Sequence, residues 1–299
     1  MAESVSIIIP SFNAADTIAA CLSSVLRQSE QQPLEVIVVD SSTDGTAALI
    51  RSHFPGVQLV SSPSRLYPGA ARNIGAARAR GTLLAFLDAD CTVAPNFVEE
   101  VSRFFAQERH PVFAGTLHNG NPRSYVGWGY YFCAFSKWAP RLSPTPLPLS
   151  DAPSGCLVIA RAVFVAHGPF SEERFCEDTT LSWRLARAGL RPWLAPSIGV
   201  HHTNIDRVGL LWHRRFRHGR AFAQARQAER RLTPGGRLIR VLGAPLVPAL
   251  LLGRSARSIF AGQRYRREFV WALPVTLLGH VAWALGELAE YASTRWSRP

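Results

Sequence analysis

Cysteine is scarce in this 299-residue chain, numbering 5, and none of it lies in a C-x-x-C pair. Cys21, Cys91, Cys133, Cys156 and Cys176 are odd in number, which excludes a complete set of internal disulfides. The opening residues, MAESVSIIIPSFNA, lack a basic stretch followed by a long apolar core, so no secretory leader is expected. Reduced thiols and a cytoplasmic setting follow as expectations. Neither G-x-G-x-x-G nor G-x-x-x-x-G-K-[ST] occurs, so the dinucleotide and P-loop phosphate sites have no support. Net charge is also missing from the first two thirds. Residues 1–200 carry 16 Lys/Arg against 16 Asp/Glu, whereas residues 201–299 carry 17 Arg against 5 acids and supply the whole +12. A basic tail on a neutral domain points to anionic lipid headgroups or to nucleic acid.

What is present centres on Thr82–Asp90, TLLAFLDAD. The apolar run Leu83–Leu87 suits a strand buried on both faces. Asp88 and Asp90 follow it, and residues two apart in extended chain point the same way. Both carboxylates can then face the crevice at the strand's C-terminal end, where open α/β sheets bind ligands. Two hard oxygen donors there suit Mg²⁺ or Mn²⁺ shared with a substrate's phosphates. Alone, D-x-D also reads as a turn after a strand.

Strands are expected at Ser4–Pro10, Leu34–Val39 and Val57–Val60, with helices at Ala14–Gln28, after Asp44-Gly45-Thr46, and at Pro68–Arg80. This alternation predicts βαβ units and a mostly parallel sheet with flanking helices. In such a sheet the Pro10–Asn13 loop, Asp40 and the D-x-D share one edge. A nucleotide would fit there, with Phe12 nearby and Asp40 available to base or ribose, although Asp40 alone is also a plausible cap or turn acid. Asp44 reads more simply as a turn acid.

Further along, Pro95–Gln107 is expected to be helical and Val112–Leu117 a strand. Residues 121–150, rich in Tyr, Trp, Phe and Pro, suggest an irregular lid, an acceptor groove or a surface excursion packed by its own aromatics. Ser154–Ala160 returns to strand, and Gly155 permits close backbone approach by a ligand. Cys156 reads as a small buried residue. Glu177 and Asp178 open a helix that Gly189 ends. Acids are ordinary at a helix N-terminus, but Asp178 is also a candidate general base for an acceptor hydroxyl. Of His201 and His202, alternation sends one inward, where neutral imidazole can complete a Mn²⁺ site.

The ordered set Ile8-Ile9-Pro10-Ser11-Phe12-Asn13, Val38-Val39-Asp40, Asp44-Gly45-Thr46, Ala71-Arg72-Asn73, Asp88-Ala89-Asp90, Glu177-Asp178 and His201-His202 resembles family 2 glycosyltransferases of the GT-A fold, over roughly residues 4–204. The resemblance implies an inverting transferase that uses a nucleotide-diphospho-sugar and Mn²⁺ or Mg²⁺. It implies nucleotide or substrate contacts from Pro10, Phe12, Asn13, Asp40, Arg72, Asp88, Gly155 and Glu177. By the same token Asp90, with His201 or His202, holds metal, and Asp178 is the base. A UDP-sugar is the favoured donor, with GDP- or dTDP-sugars as alternatives, and a glycan or lipid-linked molecule is the acceptor. The loop after Asp40, Ser41-Ser42-Thr43, departs from the family's frequent acid or asparagine beside the strand acid. No Q-x-x-R-W occurs, so limited transfer is expected rather than polymerisation.

Residues 1–204 are thus expected to form the catalytic domain and 205–299 an Arg-rich helical region. Ile205–Arg231 interleaves arginines with Trp and Phe, which suits a membrane interface or a solvated helix packed on the domain. Of two apolar runs, Val241–Gly253 is short for a span and flanked by arginines, so an in-plane or re-entrant segment is expected. Phe269–Gly286 could cross, lie in the interface, or complete a buried hairpin. The expectation is a membrane-associated enzyme at the cytoplasmic face of the cell membrane, with an anionic membrane surface as partner and no nucleic acid. The competing readings are a nucleic-acid-binding protein and an inactive GT-A membrane scaffold. The first leaves the gathered acids unexplained, and the second predicts that loss of Asp90 or Asp178 is silent.

Overall fold

The structure is a computed structural model and describes residues 4–28, 34–230 and 232–293. Arg231, counted above in the basic stretch, lies outside them. The chain divides into two compact units, Met1–Gly120 with Ser143–His202, and Asn121–Leu142 with Thr203–Pro299.

The first unit is built on one sheet. Its strands are β1 (Val5–Ser11), β2 (Leu34–Asp40), β3 (Gln58–Ser61), β4 (Leu83–Leu87), β5 (Cys91–Val93), β6 (Val112–Asn119), β7 (Leu147–Pro148), β8 (Cys156–Ala160) and β9 (Trp193–His202). They lie in the order β3-β2-β1-β4-β8-β6-β9-β5, with β7 beside β9. From β3 to β4 every pairing is parallel. The apolar runs explain this half. Ile7, Ile8 and Ile9, Ile37 to Val39, and Leu83 to Leu87 are all buried. Strands covered on both faces need crossover helices, and Ile18–Leu26, Thr46–His53 and Pro68–Arg78 supply them. On one face Ile8, Val39, Phe86 and Ile159 pack with Leu181 and Leu185 of the helix Glu177–Arg187. Gly189, at φ +78°, takes the left-handed conformation that closes this helix.

The other half is mixed. β8 runs antiparallel to β4 and β6, while β9 is parallel to β6 and antiparallel to β5. This direction matters for the site. Because β8 is antiparallel, its first residue, Cys156, pairs with the last residue of β4, Leu87. The start of β8 therefore lies at the same edge as the ends of β1, β2 and β4.

The second unit corrects one expectation. Residues 121–150 are not an irregular stretch throughout, because Tyr125–Phe135 is a helix. Its Trp128, Tyr131 and Phe132 pack with Ile259 and Phe269, so these aromatics form a core. The helix Leu273–Ala292 lies against Val208–Arg230 at backbone distance. A methyl group at Gly219 would sit 2.2 Å from the Trp283 carbonyl, and one at Gly286 would sit 2.1 Å from that of Phe216. The second apolar run is therefore packed within this unit, with Val275, Gly279, Ala282 and Ala284 buried. The first run behaves differently. Pro245 and Pro248 fall in a 3₁₀ turn, Ala244–Leu246, and in the first turn of Val247–Gly262, where a missing N–H costs no helical bond. The helical stretch Pro234–Gly262 thereby becomes, among the described residues, the one long and apolar enough to cross a membrane by length and composition. Leu238, Ile239, Leu242, Leu246 and Leu250 are exposed along it.

Candidate active site

The edge shared by β1, β2, β4 and β8 carries most of the residues singled out above. At the end of β2, Asp40 is buried, and its two oxygens accept from the Ser42 hydroxyl at 2.5 Å and the Ser42 N–H at 3.3 Å. The serine loop that departs from the family pattern thus holds the acid itself. Beside it, Asn13 adopts φ +51°. Its N–H donates to Ser42 Oγ at 2.7 Å and its Oδ1 accepts from Thr43 N at 2.9 Å, tying the loop after β1 to the loop after β2. Phe12 lies under the guanidinium of exposed Arg65, 4.1 Å from ring centre to Cζ. Pro10 is within β1, opposite Val39. Asp44 accepts from the hydroxyl and N–H of Thr46, and chiefly that hydroxyl bond holds its carboxyl below the usual range. Asp44 is a turn acid, as its sequence suggested.

Asp88 and Asp90 stand past the end of β4, roughly 10 Å across the sheet from Asp40, with β1 between them. Arg72, on the helix Pro68–Arg78, is 2% exposed. One terminal nitrogen donates to Asp88 Oδ1 and the other to Glu177 Oε1 at 2.8 Å. Its Nε is buried without a hydrogen-bond partner. Arg72 therefore reaches the edge through two carboxylates rather than with a free guanidinium. Gly155 explains how Asp88 fits: a Cβ there would lie 2.6 Å from Asp88 Oδ2. The close approach that a glycine allows is made by this carboxylate. Next to it, the Ser154 N–H donates to Asp178 Oδ2 at 3.4 Å, and Thr179 donates to Asp178 Oδ1 through N at 2.6 Å and Oγ1 at 3.2 Å. A single backbone dipeptide, Ser154-Gly155, thus stands between Asp88 and Asp178.

Glu177 is buried, and burial pushes its carboxyl up to about 7, with Asp178 adding to the rise and Arg72 opposing it. One guanidinium faces three carboxyl groups here, so holding a proton on one of them relieves like-charge repulsion. The folded state keeps on Glu177 a proton that an unfolded chain loses near the ordinary 4.5. That contribution is full below about 4.5 and is lost as pH rises through about 7. Glu177→Gln, which cannot ionise, is expected to flatten the fall in melting temperature across that window. A fall as steep as in the parent would show that Glu177 is not its source.

β9 resolves the two histidines. His202 pairs with Cys91 across β5 and β9, and His201 pairs with Thr92. His201 stacks on His118, ring centres 4.7 Å apart. His202 turns the other way, with Nε2 3.6 Å from Asp90 Oδ1. The ligand atoms of Asp88, Asp90, Cys91 and His202 all lie within 4.8 Å of one another. Two carboxylates supply the hard oxygens that Mn²⁺ or Mg²⁺ takes, and the imidazole adds a nitrogen that Mn²⁺ accepts. Of the two histidines, His202 belongs to this cluster and His201 does not. Three positions were not singled out from sequence: Ser42, Ser154 and Cys91 as a neighbour of His202. Ser42 stood in the departing loop. The other two depend on strand register, which no spacing in the chain discloses.

Residues 6–164 match the model of "Glycosyl transferase family 2". The chain belongs to this family. Among relatives, 94 residues are 42% identical to the succinoglycan biosynthesis protein ExoO of Rhizobium meliloti, covering 31% of this chain and 27% of that one. Another 100 residues are 36% identical to the glycosyltransferase AglE of Haloferax volcanii, covering 32% of this chain and 33% of that one. The aligned part is thus about a third of the length of these relatives. In structure, the chain resembles the mannosyltransferase PcManGT of Pyrobaculum calidifontis, solved with GDP-Man and Mn²⁺. The TM-score is 0.63 at 20% identity, covering 96% of this chain and 88% of that one. The fold of this glycosyltransferase domain is therefore GT-A, with a C-terminal helical region attached.

Proposed function

We propose that the protein moves a sugar from a nucleotide-diphospho-sugar to an acceptor hydroxyl with inversion at the anomeric carbon. The observation that carries this reading is the approach of Asp178 to the Asp88–Asp90–His202 cluster, Ser154 touching Asp178 while the adjacent Gly155 meets Asp88. Asp40 and the Phe12–Asn13 loop hold the nucleoside, and Asp88 lies by the ribose. Arg72 and Glu177 serve the nucleotide by fixing Asp88. Asp90 and His202 hold Mn²⁺ or Mg²⁺, which offsets the charge that develops on the departing diphosphate. The fit of the donor set and the Mn²⁺ in the GDP-Man complex of PcManGT support this choice of ion.

The chemistry assigned to the chain's own residues is simple. The acceptor oxygen attacks the anomeric carbon on the face opposite the diphosphate, and the carbon–oxygen bond to diphosphate breaks. The hydroxyl proton passes to Asp178 Oδ, so one displacement inverts the centre. Orientation of the two substrates and fixed charge supply most of the acceleration. A thermal-shift screen of UDP-, GDP- and dTDP-sugars tests the reading. One nucleotide class is expected to raise the melting temperature with Mn²⁺ and much less without it. A chain stabilised by none of them, with or without the cation, would overturn the proposal.

The acceptor we propose is a lipid-linked or cell-envelope glycan met at the cytoplasmic face of a membrane. The exposed leucines of Pro234–Gly262 and the arginines that follow, Arg254, Arg257, Arg264, Arg266 and Arg267, support it. An apolar stripe bordered by cations suits the interface of anionic lipid. The protein is expected to float with vesicles containing phosphatidylglycerol, and Leu242→Asp with Leu246→Asp to reduce that flotation severalfold. Undiminished flotation of the double variant would place the contact elsewhere.

A further inference from the structure

The cluster at the D-x-D contains one donor that the proposed reaction does not use. Cys91 Sγ lies with the ligand atoms of Asp88, Asp90 and His202, all within 4.8 Å of one another. Strand register puts it there. Cys91 stands directly opposite His202 in the antiparallel pair β5–β9, so the two side chains leave the sheet on the same face. The thiol is fully buried and faces Asp90 Oδ1 at 3.8 Å. The carboxylates beside it reach solvent, with side chains 44% exposed for Asp90 and 31% for Asp88.

Cations would read this set in two ways. A hard cation such as Mn²⁺ or Mg²⁺ takes oxygen and imidazole nitrogen and has little use for sulfur. A zinc-class cation favours thiolate together with imidazole and carboxylate, and four such donors complete its tetrahedral shell. An all-protein shell of that kind leaves no position for a diphosphate.

We propose that Cys91 makes this centre a high-affinity site for thiophilic divalent cations of the zinc class, which displace the hard cation and block the donor. The inference rests on the cation site proposed above. On binding, the Cys91 S–H bond breaks, its proton passes to water, and the sulfur electron pair forms the bond to the cation. No redox change occurs.

Cadmium is a suitable probe because its bond to thiolate adds an ultraviolet charge-transfer band that a difference spectrum resolves. Titration of the full-length protein with Cd²⁺ is expected to develop this band to one equivalent and to displace bound Mn²⁺, read by electron paramagnetic resonance. Cys91→Ser should lose the band and at least about tenfold of Cd²⁺ affinity, while its Mn²⁺ affinity stays within about threefold of the parent. Cys133→Ser, in the second unit, should keep the band. If Cys91→Ser does not fold, the cadmium-113 shift of the parent protein decides instead, since sulfur ligation moves it strongly downfield. An oxygen-and-nitrogen shift, or a band that persists in Cys91→Ser, overturns the role of the thiol while leaving the Mn²⁺ site intact. Mn²⁺ binding that is unchanged in Asp90→Asn overturns the cation site itself, and this inference with it.

Discussion

Asp178→Asn is expected to slow sugar transfer by about 10²–10⁴-fold while leaving donor affinity within about threefold of the parent. The substitution keeps the shape of the side chain and one oxygen. That oxygen can still accept from Thr179 N and Oγ1, the contacts that orient Asp178 at the first turn of Glu177–Arg187. What the amide cannot do is take a proton. If Asp178 receives the acceptor's proton, the loss falls on the chemical step and not on binding. Initial rates at saturating donor, set beside donor binding by calorimetry, separate the two. A variant that transfers at parental rate, or one that fails only by losing donor, would remove Asp178 from the role of base. The same variant bears on the scaffold reading, under which it would be silent in the cell.

Arg72→Leu is expected to lower the free energy of unfolding by about 3 kcal/mol, near the lower end of the cost of removing one partner from a buried ion pair. The guanidinium is 2% exposed and bridges Asp88 to Glu177. Without it, Glu177 keeps a buried carboxyl with no cation, although it can limit the loss by holding a proton. Arg72→Lys is expected to recover only part of the stability, because one ammonium cannot present the two-pronged bridge. Changing both partners, Arg72→Leu with Glu177→Leu, should cost less than the sum of the single changes, since the buried Glu177 carboxyl is gone and the carboxylate left without its guanidinium, Asp88, is partly exposed. Urea unfolding of the four proteins measures this. Strict additivity would mean that the bridge carries no coupling. Donor affinity should also fall in Arg72→Leu, because Asp88 loses the contact that fixes its Oδ1.

The first half of the sheet was legible in the chain because it is written in runs. Ile7–Ile9, Val36–Val39 and Leu83–Leu87 are apolar throughout, and the spacing between them leaves room for helices. The D-x-D, Asp40 and Asp178 could be named for the same reason, since each follows or precedes a readable element. The other half was not legible. Whether β8 runs parallel or antiparallel depends on the path of residues 121–155, which leave for the second unit and return, and no local pattern encodes that path. Without it, Gly155 could be read only as a site for close approach, not as the residue that admits Asp88. His201 and His202 were indistinguishable for a related reason. A strand's alternation says that one faces inward, but the choice is made by the bulge between Ala195 and Gly199 opposite Gly115-Thr116, which shifts the register of β9. In the second unit, Val241–Gly253 read as an apolar run too short for a span. Its Pro245 and Pro248 each fall where a helical turn begins, and the exposed helical stretch runs from Pro234 to Gly262.

The proposed transfer depends most on a cation held by Asp90 beside the donor's diphosphate. The direct measurement is the phosphorus-31 resonance of bound UDP, or of whichever diphosphate the screen selects, as Mn²⁺ is added to the parent protein and to Asp90→Asn. Paramagnetic broadening of both phosphorus signals at low Mn²⁺ in the parent, and its loss in Asp90→Asn, is the predicted result. Equal broadening in the two proteins would contradict the account.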